Sequence, residues 1–171
     1  ACVRLKKQLD ISWKEFEADL ANPRTEQSKV SLPFYETEIT PLASTVEQSD
    51  ISPSSLVDGQ FLNMRLHCQW HGKTPETIVV TGGISVSNGI CQTLSNIFQR
   101  PVQRLRTAAS ASLGAALIAA TADGHNINEL IETFCQPNEG ETIEPDPSME
   151  RVYQTLGAQF TDKLYSHLQP E

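Results

Sequence analysis

Apolar positions along the chain follow helical spacing at both ends and alternate between strand-like and helical runs in the middle. Residues 1–22 read as helical. Ser12 and Glu15 form a capping box, and Trp13, Phe16 and Leu20 make an apolar stripe that Asn22 and Pro23 stop. Residues 24–29 are a polar loop. Residues 30–35 predict a short strand, which Pro33 confines to an edge or an irregular piece. Residues 36–52 are polar around Pro41 and read as an exposed loop. Ser52 and Pro53 then open a helix, because Ser is a good N-cap and Pro suits the first turn. Val57, Phe61, Met64 and Cys68 recur at helical spacing, with an end expected near His71 and Gly72.

The run TIVVT at 77–81 is compact, β-branched and bounded by turn residues, which predicts a buried strand of a parallel sheet. Ile90, Leu94, Ile97 and Phe98 mark a helix over 88–99, and residues 101–105 a second short strand. Ser110 is expected to cap an Ala-rich helix through Ala120, ended by Asp123 and Gly124, and residues 125–134 add a further short helix. Residues 136–148, QPNEGETIEPDPS, are acidic and rich in Pro and read as a linker. Val152, Leu156, Phe160, Leu164 and Leu168 step by four along a terminal helix over 149–169. Helix, strand, helix, strand, helix in the centre predicts an α/β fold with a mostly parallel sheet and flanking helices.

Composition narrows the function. At 171 residues the chain is one domain or part of a larger one, and it can bury a core without staples. The net charge of −8 comes with no basic stripe, so nucleic acid is not an expected partner. No apolar run is long enough to span a bilayer, and Arg4, Lys6 and Lys7 interrupt the N-terminus, which excludes a secretory signal there. Cys2, Cys68, Cys91 and Cys135 lie far apart without a C-x-x-C, as reduced thiols of a cytoplasmic protein would. The chain has no initiator Met and opens inside a predicted helix, which reads as a fragment.

The stretch IVVTGGISVSN at 78–88 carries the most chemistry. A buried strand ends in Gly82 and Gly83 and runs into a helix start. Ligands of open α/β sheets sit at the carboxyl ends of strands, and glycine lets a bulky group approach the backbone. A helix start adds free N–H groups and a partial positive charge, so an acidic chain can still hold phosphates. A bare Gly-Gly after a strand is also simply a tight turn. The spacing is not G-x-G-x-x-G and not a Walker-type phosphate loop, which excludes both.

One strand later comes TAASASLGAAL at 107–117. The Gly-Gly turn, the amphipathic helix, the short strand and the LGAAL helix together resemble the C-terminal domain of the FGGY carbohydrate kinases. VDGQFLNMRLH at 57–67 resembles the EGQF…R helix of the eukaryotic-type xylulokinase branch. FYETEITP at 34–41 resembles that branch's EITP segment, with Ile39 where other members carry Arg.

The resemblance covers roughly residues 10–124. It implies part of the actin-like ATPase (ribonuclease H-like) fold, with residues 1–171 as a C-terminal nucleotide-binding domain whose N-terminal sugar-binding domain is absent. It implies a kinase that uses ATP and Mg²⁺ to convert xylulose to xylulose 5-phosphate, by in-line attack between two closing domains. Kinases of ribulose, glycerol or another polyol, and a non-catalytic actin-like module, are the alternatives.

By the same resemblance Gly82 and Gly83 lie against adenosine and the α-phosphate. Ser87 or Asn88 sits near the adenine, Ser87 standing where close relatives carry Asn. Asp58 takes the place of a family Glu, although a carboxylate that simply faces a helix dipole explains it equally well. The catalytic base is an Asp of the absent domain, so no catalytic residue is assigned, and this chain alone is expected to be inactive. Expected partners are ATP, a ketose, the absent domain and a second copy in a homodimer, with no membrane.

His67, Cys68 and His71 could face a metal on one helix, but a solvated helix end explains them better, and no metal ligands are assigned. Glu36 and Glu38 read as a solvent-exposed loop pair, and Ser110 and Ser112 lack the neighbours of a catalytic serine.

Overall fold

The structure, a computed structural model, describes residues 2–34, 38–39, 42–46, 51–69, 72 and 75–168. Two short helices open it, α1 (Cys2–Gln8) and α2 (Trp13–Leu20). The sequence reads as one helix here, but Asp10 takes φ +52° and breaks it. A new start follows at once. The Ser12 N–H donates to Glu15 Oε2 at 2.7 Å and the Glu15 N–H to Ser12 Oγ at 3.2 Å, the reciprocal box that the spacing predicts.

Residues 30–34 form no strand. The Ser31 N–H donates to the Ser55 carbonyl, and Leu32 and Phe34 are buried as an irregular strip against the core. Tyr35, Glu36 and Pro41 of the predicted strand and loop lie outside the described residues. A minimal hairpin, β1 (Glu38–Ile39) with β2 (Leu42–Ala43), interrupts the stretch read as loop.

Helix α3 (Pro53–Cys68) begins at Ser52 as expected, with Ser52 and Ser55 capping each other. It lies at the centre with α4 (Asn88–Phe98), which follows β3 (Ile78–Val80) and precedes β4 (Val102–Leu105). β3 and β4 pair in parallel, Val80 opposite Arg104. Helices α5 (Ser110–Ala122) and α6 (Ile127–Phe134) come next. Ser110 does not cap α5. The cap position is Ala109, which has no side-chain bond to give, and Ser110 is the first helical residue.

The acidic stretch read as a linker is instead largely strand β5 (Pro137–Ile143), antiparallel to β4. Its acidic, Pro-bearing sequence suits an edge, where one side of the ladder needs no partner. Polar side chains of α4 hold the segment that follows it. Gln92 Nε2 donates to the Glu144 carbonyl, Ser95 Oγ to the Ile143 carbonyl, and Asn96 Oδ1 accepts from the Asp146 N–H. The described sheet, in the order β3, β4, β5, is therefore mixed, its parallel pair sitting where the sequence expects one.

Helix α7 (Glu150–Leu168) closes the core. Its Tyr153, Leu156, Phe160 and Leu164 bury against Leu32, Phe34, Leu62 and Ile97. A second cluster joins α1 and α2 to Leu56, Val57 and Ile90, and a third seats Cys91 and Leu94 on Val80 and Val102 of the sheet. Helices α5 and α6 contribute no buried residue.

Candidate functional site

Strand β3 ends beside the loop that follows β4, and a side chain ties the two. Thr81 Oγ1 donates to the Thr107 carbonyl at 3.0 Å. Gly82 then takes φ +77°, a conformation open to glycine and strained for other residues. A single 3₁₀ turn (Gly83–Val86) follows, pinned from inside by Ser85, whose hydroxyl donates to the Gly82 carbonyl at 2.7 Å. Outside, the turn is open. A Cβ added at Gly82 or Gly83 would meet no atom within 4 Å. Ile84 and Val86 are exposed at its rim, Val86 by 76%, an apolar lip against which a flat ring could lie.

The start of α4 differs from expectation. Ser87 is its N-cap and accepts from the Ile90 N–H at 3.0 Å, and Glu17 of α2 accepts from the Gly89 N–H at 3.2 Å. These acceptors use the helix-end donors that the sequence reading leaves to a ligand, and the Glu17 carboxylate answers the positive end of the dipole. Ser87 is buried and occupied as a cap. Asn88 is exposed, and its Oδ1 accepts from Arg104 Nη2 at 2.5 Å. Gly83 at the start of the 3₁₀ turn and Asn88 beyond its end are thus exposed, and Ser87 is buried as the cap between turn and helix.

Arg104 is the residue that sequence reasoning misses. No sequence pattern reports it, because its place is set by the parallel register that puts it level with Val80. Its guanidinium is mostly buried, reaches Asn88, and lies 3.7 Å from Glu141 Oε2. Burial pushes the Cys91 thiol up, and Arg104 opposes this. Glu17 left no sequence signal either.

Asp58 is neither exposed nor aimed at a dipole. It is fully buried, accepting from Arg24 Nε at 3.0 Å through Oδ2 and from the Tyr153 hydroxyl at 3.1 Å through Oδ1. Burial pushes its carboxyl above the usual range, against the pull of Arg24 and Tyr153. Burial and the Asp58 charge push the Tyr153 phenol up, so that its hydroxyl stays a donor. The cluster joins the loop after α2 to α3 and α7.

No group of three or more potential metal ligands occurs among the described residues. His67 and Cys68 are exposed at the end of α3, and His71 lies outside the described residues. All four cysteines are free thiols. No described helix is long and apolar enough to cross a membrane.

Residues 53–122, which contain Asp58, the Gly82/Gly83 turn, Asn88 and Arg104, match the FGGY family of carbohydrate kinases, C-terminal domain. Over those residues the chain is similar to that domain family. Xylulose kinase of Rattus norvegicus is 32% identical over 120 residues, a span that is 66% of this chain and 22% of the rat protein. A solved xylulose kinase from Rhodospirillum rubrum superposes with a TM-score of 0.67 at 25% identity, covering 90% of this chain and 33% of that one. A ligand-bound xylulose kinase from Lactobacillus acidophilus shares the fold with a TM-score of 0.77 at 19% identity, over 96% of this chain and 37% of the other. The chain therefore spans about a fifth of the rat relative and about a third of the solved ones.

Proposed function

We propose that this chain is the nucleotide-binding portion of a cytoplasmic ATP-dependent kinase that phosphorylates xylulose to xylulose 5-phosphate. The observation that carries the reading is the open Gly82/Gly83 turn, which lies at the carboxyl end of a parallel strand inside the FGGY match. ATP fits there on physical grounds. The backbone is bare, Ile84 and Val86 offer apolar surface to a base, and Asn88 offers an amide at the rim. ATP supplies the γ-phosphoryl group, and Mg²⁺ would travel on its phosphates, since magnesium commonly needs only one or two protein carboxylates. Attack by the sugar hydroxyl would be in line, with the charge carried by the metal and by backbone amides as two domains close. The xylulose kinase relatives favour xylulose over ribulose or glycerol.

Calorimetric titration of the chain with Mg·ADP tests the placement. Binding is expected to saturate, and Gly83→Val to weaken it at least about tenfold, because the new side chain fills the ligand's space without striking the protein. Undiminished binding in the variant would move the nucleotide elsewhere. In the complete protein, ADP release that depends on xylulose, and that ribulose and glycerol do not support, is the matching activity readout.

A further inference from the structure

Asn88 is the exposed polar side chain nearest the open turn in sequence, and its amide oxygen is hydrogen-bonded to Arg104. A guanidinium only donates hydrogen bonds. The group of Asn88 that faces Arg104 must therefore be Oδ1, which leaves Nδ2 on the other side without a partner among the described residues. Arg104 is itself largely enclosed. It projects from the central strand of the sheet, its side chain is 18% exposed, and Glu141 of β5 flanks its other nitrogen. Its Nε is buried and makes no hydrogen bond, a desolvation cost incurred where a shorter residue would avoid it.

We propose that Arg104 is a positioning residue for base recognition. It fixes Asn88 so that the amide presents Nδ2–H, a donor, to a ring-nitrogen acceptor of a purine lying on the Ile84 and Val86 lip. The inference rests on the nucleotide reading of the Gly82/Gly83 turn. It adds the polarity of the contact and the residue that sets it. A freely rotating amide could offer either end to the base and would lose part of its binding energy to ordering. Arg104 removes that freedom before the ligand arrives.

A double-mutant cycle on the 171-residue chain decides the matter, with Mg·ADP affinity read by calorimetry and folding by thermal unfolding. Asn88→Ala and Arg104→Met are each expected to weaken binding about tenfold. Together they should weaken it no more than Asn88→Ala alone, because Arg104 acts only through Asn88. Arg104→Lys, which keeps a donor, should recover part of the loss, and it takes the place of Arg104→Met in the cycle if that variant does not fold. If the two losses multiply, Arg104 touches the nucleotide directly or serves only the fold, and the proposal is overturned. Wild-type affinity in Arg104→Met overturns it as well. If the unaltered chain binds no Mg·ADP, the nucleotide reading itself fails and takes this inference with it, a result distinct from the other two.

Discussion

Asp58 shows what a single residue can hide. Its position in the first turns of α3 is compatible with an exposed carboxylate that faces the dipole, yet the structure buries it completely between Arg24 and Tyr153. Its partners stand 34 residues before it and 95 after it, distances that no periodicity reports. Removing one member of a buried pair leaves the other charge uncompensated. Asp58→Ala is therefore expected to cost about 3–5 kcal/mol of stability, measured by urea unfolding. A cost below about 1 kcal/mol would mean that Arg24 finds water or another acceptor. Other residues were legible because their partners are local. The Ser12 box, the Ser52 cap and the glycines after β3 all act within a few positions of themselves. Arg104 was not, because its importance comes from its register against β3 and its reach to Asn88.

Elements were read well wherever the apolar period was strong and poorly where pairing did the work. Helices α3, α4 and α7 and strands β3 and β4 fall within a few residues of their predicted spans. The stretch that forms β5 reads as a linker because it is acidic and rich in Pro. Its ladder bonds to β4, and the amide and hydroxyl groups of α4, supply what side-chain burial does not. Residues 30–34 erred in the other direction, since the apolar run is buried without being a strand. There Gly59 sets the fit of α3 against the strip. A Cβ at Gly59 would stand 1.8 Å from the Ser31 carbonyl oxygen, an overlap that only backbone movement can relieve. Gly59→Ala is expected to destabilise the chain by about 3 kcal/mol or more, with a lowered midpoint in thermal unfolding. An unchanged midpoint would show that the strip yields freely.

For the whole molecule, the buried clusters gather around α3, α4 and α7, and α5 and α6 lie outside them. Ile118 is 73% exposed and Phe134 52% exposed, on helices with no buried residue. A chain with such a surface is expected to bind a hydrophobic dye and to self-associate. Ile118→Glu with Phe134→Lys should reduce both, by fluorescence and by sedimentation. A dye-silent, strictly monomeric wild-type chain would contradict this. The sequence shows that α5 is apolar. It does not show that the described fold leaves that helix uncovered, because coverage depends on all the other elements at once.

The Thr81 to Thr107 bond links that outlying region to the open turn. α5 is not anchored by burial, so this clasp is a fixed point between the turn and the segment that leads into the helix. Val80 and Arg104 are opposite each other near the ends of the two parallel strands, and the Thr81 bond carries their union one step further, to the edge of the glycine turn.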